Sequence, residues 1–145
     1  MRETDNIVKR KKYKEERFGN KKTTVDDYTG KRIKKSNTDT DHIVPIDSIN
    51  RKYSNLSLEQ RKKLANCDAN YATTSSSINR SKGSASNAEY LNKMLRSGKK
   101  VTIEQAGRML DAQMKAEKAI DKQARKMKRE NAINSAHSLL KKIHK

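Results

Sequence analysis

Thr38-Asp39-Thr40-Asp41-His42-Ile43-Val44-Pro45 is the stretch whose reading decides the fold of this chain. A histidine flanked by acids stands on a β-type run that the only proline closes. Pro45 cannot donate to a ladder, so it must end or edge the strand. Alternation along an extended run puts Asp39 and Asp41 on one side and Thr40 and His42 on the other. A bend at the strand end lets Asp41 and His42 border one site. Charged groups held together there need a metal, a partner or water to compensate them.

Downstream, Asn70-Tyr71-Ala72-Thr73-Thr74-Ser75-Ser76-Ser77-Ile78-Asn79-Arg80-Ser81-Lys82 supplies the second half of the constellation. The pattern predicts a strand over 71–74 and the first turn of a helix over 75–80. Asn70 and Asn79 bracket both. An amide oxygen is a neutral hard ligand for Mg²⁺, and the basic Arg80 and Lys82 beside it suit a phosphate. Upstream, Val25, Tyr28 and Ile33 are β-type residues, and Thr29-Gly30 between short runs reads as a turn.

Together these residues resemble the HNH endonucleases of the ββα-metal fold, and among them the HNH domain of RNA-guided CRISPR nucleases. The shared pattern is D-x-D-H-I-V-P from Asp39 to Pro45, an insertion, then N-x8-N-R-x-K from Asn70 to Lys82. Tyr28-Thr29-Gly30-Lys31-Arg32-Ile33 resembles the hairpin that often precedes this motif. The resemblance covers about residues 24–83 and implies an α+β fold, mostly helical overall. Its small ββα-metal core would occupy residues 23–83, between a basic arm at 1–22 and a helical basic extension at 84–145.

By that resemblance His42 is the general base, and Asn70 joins it in catalysis by bracing its loop. Asp41 and Asn79 hold one divalent cation, Mg²⁺ or else Mn²⁺ or a similar ion. Asp39 matches a further acid just outside the ligands, and Arg80 and Lys82 bind phosphate. The chemistry agrees with these roles. A neutral imidazole with a pKa near 6.5 can take a proton from water near neutral pH. One divalent ion can polarise the scissile phosphate and stabilise the leaving 3′ oxygen. Products would carry 5′-phosphate and 3′-hydroxyl ends.

Two features depart from the family pattern. Between His42 and Asn70 lie 27 residues, including a helix predicted over 58–65 from the capping box Ser57-Leu58-Glu59-Gln60. Many HNH proteins also brace the fold with paired cysteines on zinc, whereas Cys67 stands alone. Structural zinc is therefore expected to be absent.

Composition narrows the partners. The 145 residues suit one domain, and 35 Lys plus Arg against 17 Asp plus Glu give +18. Apolar residues are 32%, below the ~45–50% of ordinary globular domains, so the core is expected to be small. Such charge favours a polyanion, and binding that weakens steeply with salt. With no Trp and one Phe, stacking on bases is unsupported, so contacts should go to phosphate with little sequence specificity. DNA is the expected substrate; RNA stays open because backbone contacts barely distinguish the two. No apolar run approaches the ~18–20 residues of a membrane span, and Met1–Lys12 lacks an apolar signal core. One cysteine forbids an internal disulfide, which fits a reducing cytoplasm.

The flanks read as helical. A short helix is expected before Gly19-Asn20, the alternative being a flexible basic arm. Another is expected over 87–95, stopped by Gly98. Thr102-Ile103-Glu104-Gln105 is a capping box opening a long helical stretch. Its apolar stripe runs through Ile103, Ala106 and Leu110, then Ile120, Ala124 and Met127, then Ile133, Ala136, Leu140 and Ile143. Packing on its own domain is the commoner reason for such a stripe. Asn131 and Asn134-Ser135 should weaken this helix and break it in two.

The expected protein is a small Mg²⁺-dependent HNH nuclease with little sequence specificity. It would come from a phage or mobile element, or be a toxin module masked by an acidic immunity protein. The alternative is a catalytically silent HNH-like protein that binds nucleic acid or serves assembly. The basic arm and the C-terminal helices should clamp phosphate, so that removing 103–145 weakens binding more than chemistry.

Overall fold

The computed structural model describes residues 3–144, with side chains from Asp5 onward; residues 1, 2 and 145 lie outside the described residues. The chain is 66% helix with two small antiparallel sheets, an α+β arrangement. Helix α1 (Glu3–Phe18) leads into strands β1 (Thr23–Val25) and β2 (Arg32–Lys34). Strand β3 (Thr38–His42) is followed by α2 (Ile46–Lys52) and α3 (Leu58–Ala65), then β4 (Tyr71–Ser75) and α4 (Ser76–Lys82). Helices α5 (Asn87–Arg96) and α6 (Ile103–Ile143) complete the chain.

The turn between β1 and β2 forms because Asp26 Oδ1 accepts the backbone N–H groups of Tyr28 and Thr29, an Asx turn. Gly30 then takes φ +77, a conformation that disfavours a Cβ. Asp27 ties this hairpin to its neighbours. Its backbone N–H donates to Thr73 O at 2.8 Å and its Oδ2 accepts Thr73 N–H at 2.7 Å. Its carboxylate also takes both terminal nitrogens of Arg17, at 3.0 and 3.2 Å.

Strands β3 and β4 pair in register from Thr38 opposite Ser75 to His42 opposite Tyr71. Ser75 Oγ then accepts Ile78 N–H and caps α4, which packs on both strands. This strand–strand–helix unit carries the residues singled out in the sequence. The strand stops at His42, ahead of Pro45, which precedes the first turn of α2 with φ −62. Helix α2 was not expected from the sequence. Ser57 and Gln60 form the expected reciprocal cap of α3.

Two corrections concern the flanks. Among the described residues the basic segment expected over 1–22 is not a free arm, because α1 is docked along β3. Phe18 is buried, worth about 1.5–3 kcal/mol, Lys14 Nζ donates to Thr38 O, and Thr40 Oγ1 donates to Arg10 O. The described part of the extension expected over 84–145 is not simply appended either. Met109 and Ala116 of α6 enter a core with Tyr28, Ile43, Ala72, Tyr90 and Leu91. Ile120, Ala124 and Met127 enter a second with Ile49, Tyr53, Leu56, Leu64 and Ala65.

Helix α6 is one continuous element of 41 residues, so Asn131 and Asn134-Ser135 do not break it. Gln60 and Asn131 exchange side-chain hydrogen bonds at 2.8 and 3.1 Å, which fixes α6 where a break was expected. The apolar stripe is only partly buried. Ile103 and Leu110 are exposed, as are Ile133, Leu140 and Ile143. Beyond Asn131 every described residue is exposed.

Candidate functional site

Asp41, His42 and Asn79 line one cleft of about 350 Å³, together with Arg10 from α1 and Asp47 from α2. Strand β3 delivers the first two from its last two positions, and α4 brings Asn79 across from the far side of the pair. Alternation alone would have separated Asp41 from His42. The chain leaves the strand immediately after them, and both border the cleft.

Asn70 fixes where the chain goes next. Its amide oxygen accepts Val44 N–H at 2.7 Å, and its amide nitrogen donates to Val44 O and Ala65 O, each at 3.0 Å. Its own carbonyl accepts Ile43 N–H at 2.9 Å. Asn70 is fully buried and does not line the cleft. It braces the segment after His42 as a positioning residue.

His42 has its tautomer set by a residue the sequence reading missed. Asn66 Nδ2 donates to Lys62 O at 3.0 Å and to Asn6 Oδ1 at 2.9 Å, so its Oδ1 is the accepting end. That oxygen takes Tyr71 O–H at 2.7 Å and lies 3.0 Å from His42 Nε2. An amide oxygen only accepts, so the pattern assigns the imidazole proton to Nε2 and the lone pair to Nδ1. The Tyr71 ring packs 5.4 Å from the imidazole, centroid to centroid. Burial pushes the His42 pKa down to about 4, against the pull of Asn66, and Arg10 and Lys82 lower it further. The ring is a neutral acceptor at physiological pH.

Asp41 is buried at the foot of the cleft. Its Oδ2 accepts Tyr28 O–H at 2.5 Å and Lys82 Nζ at 2.6 Å. Burial raises the Asp41 pKa against the opposing pull of Lys82 and Tyr28. Burial lowers that of Lys82 against the pull of Asp41.

Lys82 also donates to His42 O and Ile43 O, at 2.9 and 3.2 Å. All three ammonium protons are thereby engaged, and the side chain is 0% exposed. Lys82 is therefore not a phosphate ligand, which corrects the sequence expectation: it is an internal strut between α4 and the end of β3. Arg80 is exposed and donates to Ser76 O of its own helix; it does not line the cleft. Arg10 is the basic side chain that does. Its only sequence signal was membership of a basic run.

Asn79 Nδ2 lies 3.3 Å from Asp39 Oδ2, which turns the amide so that Oδ1 remains free of hydrogen bonds among the described residues. Asp41 Oδ1 is likewise free of them. Two hard oxygen donors on one cleft fit Mg²⁺ or Mn²⁺, which prefer oxygen and retain several waters. Among the described residues, no cluster of three or more His, Cys, Asp or Glu side chains is placed to hold a metal. A divalent ion here would thus depend on Asp41, Asn79 and water. Cys67 is half-buried and unpaired.

No helix among the described residues is long and apolar enough to cross a membrane. No protein-family model, curated protein or solved structure matches this chain.

Proposed function

We propose that this chain is a divalent-metal-dependent endonuclease of the HNH type that hydrolyses DNA phosphodiester bonds with little sequence preference. One observation carries the reading: a neutral histidine of assigned tautomer shares a cleft with two uncommitted oxygen donors, Asp41 Oδ1 and Asn79 Oδ1. A neutral imidazole can accept a proton from water.

In this mechanism His42 Nδ1 takes a proton from water while Nε2–H stays on Asn66. Asp41 and Asn79 would hold the divalent ion, whose chemistry is to polarise the phosphate and stabilise the leaving 3′ oxygen. Asp39 keeps the Asn79 amide oriented. Arg10 supplies positive charge at the cleft, where the phosphodiester is anionic. Asn70 and Lys82 hold the Asp41–Val44 segment still, so the base and the ligands keep their spacing.

A second reading, a catalytically silent protein that binds nucleic acid, is favoured by one observation. Asp41 is closed off by Lys82 and Tyr28 on one oxygen, as in a purely structural ion pair. Supercoiled-plasmid cleavage separates the two. Nicking that requires Mg²⁺, disappears in EDTA and disappears in a folded His42→Ala variant supports hydrolysis. DNA binding by folded wild-type protein without cleavage selects the silent reading, and cleavage confined to RNA would replace the substrate.

A further inference from the structure

The catalytic cleft is one end of a longer groove. A second cavity of about 310 Å³ shares Arg10 and Asn79 with the cleft and adds Lys11 and Lys14. Those two lysines also line a third and larger cavity of about 1040 Å³, between α1 and the β1–β2 hairpin. Its other basic residues are Lys21, Lys22, Lys34 and Lys35.

We infer that this lysine basin binds the backbone of duplex DNA flanking the cut site, with the strand running past Arg10 and Lys14 into the cleft. The inference rests on the nucleic-acid part of the proposed function and not on hydrolysis. Six lysines face one carboxylate there, Glu15, which Lys35 already neutralises at 2.7 Å. Lys14 is held by Thr38 O. The ammonium groups of Lys11, Lys21, Lys22 and Lys34 have no hydrogen bond or ion pair among the described residues, so they are open to an external anion.

The lining also indicates the kind of polyanion. No Phe, Tyr or Trp lines any of the three cavities. Single-strand binders characteristically stack bases on such rings, and their absence favours a duplex held by its phosphates. The two walls of the basin are tied to each other. Arg17 joins α1 to the hairpin through Asp27, and Lys35 N–H donates to Lys22 O at 2.9 Å.

The test compares two variants of the full chain with equal charge loss. One carries Lys21→Gln, Lys22→Gln and Lys34→Gln in the basin. The other carries Lys118→Gln, Lys122→Gln and Lys126→Gln, exposed positions of α6 that line none of these cavities. Fluorescence anisotropy in EDTA reads the affinity for a short duplex and for a single strand of equal length across a salt series.

The basin variant should lose roughly tenfold or more in duplex affinity, and its log–log salt slope should fall by about 2–3. The α6 variant should change its slope by less than about one. Equal losses in both variants, an unchanged basin variant, or tighter binding of the single strand would overturn the inference. Mg²⁺-dependent cleavage by the wild-type chain is read separately. A wild-type chain that binds duplex through the basin yet never cleaves would remove hydrolysis and leave the basin in place.

Discussion

Lys82 Nζ lies 2.6 Å from Asp41 Oδ2 across the strand–helix boundary, with the lysine side chain 0% and the aspartate 5% exposed. This contact makes Lys82, two positions after Arg80, structural. Removing one partner of a buried pair leaves an uncompensated charge and typically costs about 3–5 kcal/mol. Lys82→Ala should therefore lower the urea midpoint strongly. If Lys82 instead contacted phosphate, the same variant would keep its stability and lose only DNA affinity.

Asn66 tests the tautomer assignment. Asn66→Ala removes the acceptor for His42 Nε2–H and should lower kcat by about 10- to 100-fold, with His42→Ala losing roughly 10²–10⁴. Plasmid nicking by folded variants, verified by circular dichroism, measures both. An Asn66→Ala enzyme with wild-type kcat would show that the ring does not depend on this brace.

Protonation of His42 should have a defined sign. Its folded pKa, about 4, lies below the unfolded value of about 6.5. Between those values the unfolded chain binds more protons at this site, so the histidine's contribution to stability rises with pH. That contribution is complete above about pH 6.5 and is lost as pH falls toward 4, at up to about 1.4 kcal/mol per pH unit. Urea titrations of wild type and His42→Gln from pH 7 to about pH 4 should show the variant losing less stability. In cleavage, the acid limb of kcat/KM should lie below the ordinary imidazole value.

The cation should report on Asp39 through Asn79. Asn79→Ala should raise the Mg²⁺ concentration needed for half-maximal cleavage. Asp39→Ala should raise it by a smaller factor, because it removes only the group that orients the amide. Outer partners of metal ligands typically matter by about 10- to 100-fold. An Asp39→Ala midpoint equal to wild type would remove the acid from this role, and chelation by EDTA should abolish cleavage in every variant.

Helix α6 should divide into a core half and a free half. A chain ending at Asn131 loses, among the described residues, only exposed ones and should keep its melting temperature. A chain ending before Ile103 loses Met109, Ala116, Ile120, Ala124 and Met127 from both cores and should not fold. Truncation of 103–145 thus cannot separate binding from chemistry, contrary to the sequence expectation. Thermal melts of the two truncations decide this.

Local signals were read well where one residue type has one strong consequence. The capping box at Ser57, the stop at Gly19, the turn at Thr29-Gly30 and the strand opening at Tyr71 stand where the sequence placed them, while Thr102 caps α6 without the return bond from the Gln105 side chain. Position in a motif did not tell which side of a helix faces in. Arg80 and Lys82 are both basic and two apart, yet the first is exposed and the second buried. Nor could composition show that a basic helix is docked, since Phe18 and Asn6 are isolated buried positions in a charged segment.

The sequence by itself determined the order and type of most elements and brought forward Asp39, Asp41, His42, Asn70 and Asn79, because caps, turns, β-type runs and motif spacing are short-range properties. Tertiary structure alone decided that Asn66 sets the His42 proton, that Lys82 is an internal strut, that Arg10 enters the cleft and that α6 is core. Each of those depends on which surfaces meet after distant segments pack. Burial, which turns a solvated charge into a buried partner, has no local signature in the chain.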